Sequence, residues 1–283
     1  MRWLVIMVLM LSLPGLALAE THSGFLNASN ASTTAHPWIF SAPPRGNRKK
    51  ETALYTPITH FLQSVSGHAI IYKYPGSWLN YSREMAAGKY DLVFDGPHFT
   101  GWRDRHLGYT PLVRLPAPIT FVVAERSDER FTRLNQLIGR LVCANSPPYL
   151  GTLMLLDKFH NPERQPALLI IHGWSIAYKD LQAKRCAATV LPLANLRQFD
   201  RTQQATRVLF RGRAYPNQAI SASSHIPPAI QARIRTALLS PTGRTITRAL
   251  RNIYVSKPFI SANTNDYVGL SQLLNNTLYF GYQ

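Results

Sequence analysis

Three short apolar runs alternate with two helical patterns before residue 96, joined by only a few residues each, and few folds accept that order. Trp38-Ile39-Phe40 reads as a buried strand, followed by the loop Ser41-Ala42-Pro43-Pro44-Arg45-Gly46. The next helix is predicted to start at Thr56 as N-cap with Pro57 in its first position. Its apolar face is Ile58, Phe61, Leu62 and Val65, which share one side of a helix. Gly67 ends it. Residues 69–74 predict a second strand, turned by Pro75-Gly76-Ser77. Tyr81 and Met85 lie one turn apart on a short helix closed by Gly88, and Asp91-Leu92-Val93-Phe94-Asp95 gives a third strand that stops at Gly96-Pro97. Such β-α-β-α-β order specifies a parallel sheet covered by helices.

A second series begins at residues 119–124, a strand placed to cross between lobes. A short helix at 134–138 leads into the strand 140–144, and the loop 145–151 opens a helix over 152–159. Residues 167–172 read as a strand, 175–184 as a helix and 186–191 as a strand. After 207–210 the chain meets Pro216 and returns to the first lobe. Two helices close the pattern. Ile230, Ile234 and Leu238 line one; Ile246, Ala249, Leu250 and Ile253 line the other, with Arg244, Arg248 and Arg251 as its solvated face.

The N-terminus fixes the expected compartment. Met1-Arg2, an apolar run over residues 3–13, the breakers Pro14-Gly15 and the triplet Ala17-Leu18-Ala19 make a secretory signal peptide cut after Ala19. The run is well short of the ~20 residues that span a bilayer. Residues 20–36, rich in Ser, Thr, Asn and Ala, form a leader. The expected division is therefore signal peptide 1–19, leader 20–36, first lobe 37–118, second lobe 119–214, and return with C-terminal helices 215–283. Of the 283 residues, 31 are Lys or Arg and 14 Asp or Glu, a formal +17, which favours anionic solutes. An exported chain does not normally meet chromosomal DNA, so the charge is not read as nucleic-acid binding.

Catalytic motifs are missing. There is no G-x-S-x-G elbow, Walker loop, G-x-G-x-x-G or H-E-x-x-H, and no two acids have a glycosidase or aspartic-protease spacing. No cofactor is expected. Open α/β sheets bind ligands beyond the carboxyl ends of their strands. Here those segments are 41–45, 75–78, 95–99, 145–152 and 172–175, which carry Ser, Thr, Tyr, Trp and His before helix starts. Asp95 and His98 also have a D-x-x-H spacing, but two ligands are too few for a metal site.

Three stretches carry a family resemblance. They are Phe40-Ser41-Ala42-Pro43-Pro44-Arg45, Tyr55-Thr56-Pro57 opening a helix, and residues 88–99 ending in Asp95-Gly96-Pro97-His98-Phe99. They resemble the phosphate, phosphite and phosphonate substrate-binding proteins of ABC transporters, the PhnD-like group. Residues 137–151 and 173–188 resemble that family's second lobe, and Tyr215-Pro216-Asn217 its return crossing. The resemblance implies the type II periplasmic-binding-protein fold: two α/β lobes, mixed mainly parallel sheets with helices on both faces, and a solute cleft between lobes. It implies no catalysis, a periplasmic location, an inner-membrane ABC permease as partner, and a small anionic solute such as phosphate, phosphite or a phosphonate. The chain is expected to act as a monomer.

Carried residue by residue, the expected cleft holds Tyr55, Asp95, His98, Ser146, Tyr149, Gly151, Thr152 and Trp174. Tyr55 and Tyr149 would donate hydroxyls, the amides near Gly151 and Thr152 would hold the anion, and Asp95 would meet a protonated phosphate or an amine. The sequence departs from the family where a Ser-Thr-Ser-Gly-like run becomes Ser146-Pro147-Pro148-Tyr149-Leu150-Gly151-Thr152, since proline has no N–H. Gly173-Trp174-Ser175 lacks the family's histidine, and Phe99 stands where an aromatic hydroxyl is expected. The alternatives are a same-fold binder of a metal ion or complex through Asp95, His98 and His172, a sensory binding protein, or an exported enzyme. In the implied fold the strands holding Cys143 and Cys186 are neighbours, which allows a disulfide in an oxidising compartment; two buried small hydrophobes are the other reading.

Overall fold

The computed structural model describes residues 36–275 with Thr277 and Phe280; the expected signal peptide and nearly all of the leader lie outside them. β1 (Trp38–Ser41) passes through the Pro43-Pro44 loop into α1 (Arg48–Ser66). This helix begins well before the expected start at Thr56. Asn47 caps it, its side chain accepting from the Lys50 amide at 3.0 Å. Its first turns, Arg48-Lys49-Lys50, are exposed and carry no apolar stripe, so periodicity does not mark them. Pro57 sits inside the helix and forgoes one backbone bond. Ile58 and Leu62 are fully buried, as their shared face requires.

β2 (Ile70–Tyr72) leads to α2 (Trp78–Ala86), capped by Ser77, and then to β3 (Leu92–Asp95). α3 (Pro97–Leu107) starts directly behind it, so His98 and Phe99 stand on a helix rather than in a loop. Pro97 through Arg103 are all buried, and a helix covered on most sides lacks the polar stripe that reveals one. β4 (Thr110–Arg114) completes this part.

The second series comprises β5 (Ile119–Arg126), a 3-10 turn at Leu134–Leu137, β6 (Leu141–Ala144), α4 (Leu150–Leu156), β7 (Ala167–Ile170), α5 (Trp174–Gln182), β8 (Ala188–Pro192), α6 (Leu193–Phe199) and β9 (Thr206–Tyr215). The chain then returns through β10 (Ala219–Ala222), α7 (Pro228–Leu239), α8 (Pro241–Ile246), α9 (Arg248–Ile253) and β11 (Ile260–Ser261). The last expected helix is thus two, broken at Thr247, whose hydroxyl bonds the Gly243 carbonyl at 2.7 Å. Its basic face is corrected as well. Arg244 and Arg248 are exposed, but Arg251 is buried, with Nη2 donating to the Arg244 carbonyl at 2.7 Å.

Two mixed sheets result, ordered β11-β4-β10-β3-β1-β2 and β7-β6-β8-β5-β9. β1, β2 and β3 are parallel, and so are β6, β7 and β8; β10 and β5, the first strands after each crossing, run antiparallel to their neighbours. The crossings at 115–118 and 216–218 lie side by side. The Leu115 amide donates to the Gln218 carbonyl at 3.0 Å, and Asn217 Nδ2 to the Ala117 carbonyl at 2.8 Å. In the second lobe Cys143 on β6 is disulfide-bonded to Cys186, just before the adjacent β8, with Cα atoms 5.7 Å apart. Among the described residues no helix is long and apolar enough to cross a membrane.

Candidate functional site

β3 delivers Asp95 and Gly96 to the edge of the first lobe, and Pro97 at the first helical position turns the chain into α3. His98 therefore points across the seam between lobes, where its Nε2 lies 2.9 Å from the Pro148 carbonyl. A carbonyl can only accept, so Nε2 carries the proton and Nδ1 is bare; Nδ1 is buried without a partner. Burial pulls the imidazole from 6.5 down to about 3; the Pro148 carbonyl opposes this and the charge of Arg45 adds to it. His98 is neutral at any physiological pH.

Side chains of both lobes close into a ring beside this bond. Tyr149, the residue before α4, accepts from Trp174 Nε1 at 2.6 Å. Gly173, at φ +115°, aims Trp174 inward from the start of α5, and the Trp174 ring meets Tyr254 edge-on at 5.2 Å. Tyr149 meets Trp78 at 5.9 Å, and Trp78 stacks near Phe99, which stacks on His98 at 4.1 Å. Arg45 completes the ring: its guanidinium lies 5.8 Å from the Tyr254 centroid, and Nη2 donates to Gln218 Oε1 at 3.1 Å. Tyr55 stacks on Tyr72 at 4.7 Å close enough to feel the charge of Arg45.

Several polar atoms in this seam are buried and unpaired. Arg45 Nε and Nη1, Trp78 Nε1 and the Tyr254 hydroxyl have no partner, an arrangement that proteins rarely tolerate without a purpose. Burial pushes the Tyr254 phenol up to about 12 and those of Tyr55 and Tyr149 well above the usual value, so all three keep their protons. With Arg45 fixed as a cation, the ring offers donors and one positive charge.

The expected site residues separate on inspection. His98, Tyr149 and Trp174 are in the ring, and Tyr55 stands beside Arg45. Asp95 is placed otherwise. It is fully buried, receiving Tyr81 Oη at 2.7 Å and Arg103 Nε at 3.1 Å on Oδ2 and Thr100 Oγ1 at 3.3 Å on Oδ1. Its charge serves Arg103, itself fully buried, so the sequence expectation of a solute contact is replaced by a core ion pair. The Thr152 hydroxyl is spent on the Asn145 carbonyl at 2.6 Å. Gly151 acts by its size: a Cβ there would lie 2.9 Å from Tyr149 Cε1 and 2.8 Å from Phe121 Cδ1. Ser146 lines a different space, a groove of about 1130 Å³ that also touches Leu79, Met154 and Phe210 and none of the ring residues. That groove is roomy, yet the unpaired charge lies in the ring.

His172 is exposed, and among the described residues no three His, Cys, Asp or Glu side chains gather as a metal site would need. Arg45, Trp78, Gln218 and Tyr254 are absent from the sequence expectation. Arg45 had a signal, as the one basic residue in the first strand-end loop, 41–45. Tyr254 had none, because it follows a C-terminal helix far along the chain from every strand-end loop.

Two sheets joined by paired crossings, with a buried polar ring at the seam, make a two-lobed α/β protein. Residues 40–267 match the model of the family described as ABC transporter, phosphonate, periplasmic substrate-binding protein, and the chain belongs to that family. It is a binding component of a transporter and not an enzyme. Among solved structures it is similar to PhnD1 from Prochlorococcus marinus in complex with methylphosphonate, with TM-score 0.67 and 10% identity over 84% of this chain and 97% of that one. It is also similar to a binding protein component of an ABC phosphonate transporter from Pseudomonas aeruginosa, with TM-score 0.65 and 10% identity over 84% and 85%. XAC2383 from Xanthomonas citri bound to ATP gives 0.65 and 13% over 83% and 94%. At such identities these likenesses establish the fold. No curated protein matches the chain.

Proposed function

We propose that the chain binds a small phosphorus oxyanion, a phosphonate, phosphite or phosphate, in the ring around Arg45 and hands it to an inner-membrane permease. The observation that carries this reading is the buried Arg45 guanidinium with two unpartnered nitrogens, Nε and Nη1, in the interlobe seam. An arginine fork matches the paired oxygens of a phosphonyl group, and a charge-assisted pair of this kind is among the stronger hydrogen bonds. The Trp78 indole and the Tyr55 and Tyr149 hydroxyls supply further donors, while the bare His98 Nδ1 accepts from a protonated oxygen. The His98 bond to Pro148 ties the lobes together over the solute, so binding and hinge closure are one event. The amides near Gly151 and Thr152 stay in the account as the second-lobe side of the same contact. The protein acts as a periplasmic monomer after loss of its signal peptide.

Isothermal titration against methylphosphonate, phosphite, phosphate, arginine and divalent metal ions tests the assignment. One-to-one binding of at least one phosphorus oxyanion, with none for arginine or the metals, is expected. Tight metal binding without oxyanion binding contradicts it.

A further inference from the structure

Beside the hinge a second, smaller cavity of about 210 Å³ opens between the crossing at 117–120, the start of α6 and the stretch after α9. Tyr254 lines it, and the same ring forms the wall over Arg45 and Trp174. Asn217 lines it too, next to Gln218, the partner of Arg45. Its other polar walls are Thr120, Asn195, Arg197, Arg211 and Ser256. No Asp or Glu is among its lining residues.

We propose that this cavity is the second compartment of the solute site, and that it receives an anionic group at the far end of the solute. The inference rests on the reading of Arg45 as the phosphonyl anchor and extends it to a substrate class: dianionic compounds such as phosphonocarboxylates, whose two acidic groups are held apart by a short chain. One feature points to an anionic ligand: Tyr254 is 5% exposed and its hydroxyl, a donor, has no partner. Asn195, 3% exposed, has its Nδ2 spent on the Ile253 carbonyl at 2.9 Å, so its unpaired Oδ1 can only accept, from a water or a protonated solute oxygen. Above these buried groups stand Arg197 on α6 and Arg211 on β9, both exposed and, among the described residues, without a salt bridge or side-chain hydrogen bond.

The charge pattern decides between solute types. An amine entering this cavity would face two guanidinium groups with no carboxylate to balance it, and Asp95, an acid at the end of β3, is locked onto Arg103. A carboxylate or a second phosphonyl group would instead find donors and positive charge together. The cavity volume suits a short chain with one such group. The exposure of both arginines also makes them a basic entrance that draws dianions toward the seam.

The test is isothermal titration of the chain with methylphosphonate, 2-aminoethylphosphonate, phosphonoacetate, 3-phosphonopropionate and methylenebisphosphonate, repeated on Arg197→Gln/Arg211→Gln. At least one dianionic compound should bind about tenfold or more tighter than methylphosphonate, with 2-aminoethylphosphonate weaker than either. The double variant should erase that advantage and leave methylphosphonate within about twofold of the parent. A preference for the terminal carboxylate or for the second phosphonyl group follows from which dianion leads. If methylphosphonate binds and no dianion exceeds it, or if the advantage survives the double substitution, the second compartment is refuted while the oxyanion reading stands. Failure of every phosphonate to bind removes the second compartment, and failure of phosphite and phosphate as well removes the oxyanion reading.

Discussion

Asp95 ends β3 and His98 follows three residues on, in the first turn of α3, yet their environments give them opposite duties. His98 is buried neutral and bonds across the seam; its ordinary pKa is 6.5 and its value here about 3. A base whose pKa is depressed contributes its stability fully above the ordinary value, and loses it as pH falls from 6.5 toward 3. Solute binding should therefore weaken below pH 6.5 by up to about tenfold per unit, equivalent to about 1.4 kcal/mol. His98→Gln keeps a donor for Pro148 and cannot titrate, so the difference between its pH profile and the parent's isolates this effect from titration of the solute. Identical profiles would show that His98 does not gate closure. Asp95→Asn should instead leave Arg103 buried without a counter-ion and cost about 3–5 kcal/mol of apo stability, read as a large fall in the chemical-denaturation midpoint. An unchanged midpoint would return Asp95 to the solute. The sequence put both residues where the chain leaves β3, but it could not distinguish them, because Arg103 and Tyr81 reach Asp95 only through tertiary packing.

Among the elements, legibility followed one-sided burial. α2 and the outer half of α1 were readable from Tyr81, Met85, Ile58 and Leu62, since each helix lays one apolar face on the first sheet. The first turns of α1 were not, because solvent covers Arg48 to Lys50, and α3 was not, because protein covers it. Eight of the strands were readable through their apolar runs, although β9, an edge strand whose Arg207, Arg211 and Arg213 face solvent, extends beyond the expected 207–210; β4, β10 and β11 were not read. α4 began at Leu150 rather than Thr152, with Tyr149 in the N-cap position and no side-chain cap. This shift gives Gly151 its meaning, since it packs under the Tyr149 ring rather than opening the loop. Gly151→Ala should press on Tyr149 and Phe121 and cost about 1–3 kcal/mol of stability, with weaker solute binding because Tyr149 leaves its place by Trp174. Thermal melts and titration of this variant check both; a neutral result in both would mean that the ring has slack.

At the scale of the molecule, the two-lobed fold followed from the order of strands and helices, and the family from three short stretches in the first lobe and their second-lobe counterparts. The solute did not follow, because the residues proposed to hold it come from segments far apart: Arg45 after β1, Trp78 at α2, Tyr149 before α4, Trp174 at α5 and Tyr254 after α9. Only folding shows that these five share one seam. The central claim is that Arg45 is kept buried and underpaired for an anion. Replacing a buried, incompletely paired charge by an apolar side chain of similar length is neutral or stabilising to a fold, so the claim separates binding from stability. The decisive measurement is a titration of Arg45→Met with whichever phosphorus oxyanion binds the parent, alongside apo melting of both proteins. The account predicts binding weakened by at least about a hundredfold, in line with about 3 kcal/mol for a charge-assisted pair, and an apo melting temperature equal to or above the parent's. Parental affinity in Arg45→Met, or a marked fall in its apo melting temperature, would contradict it.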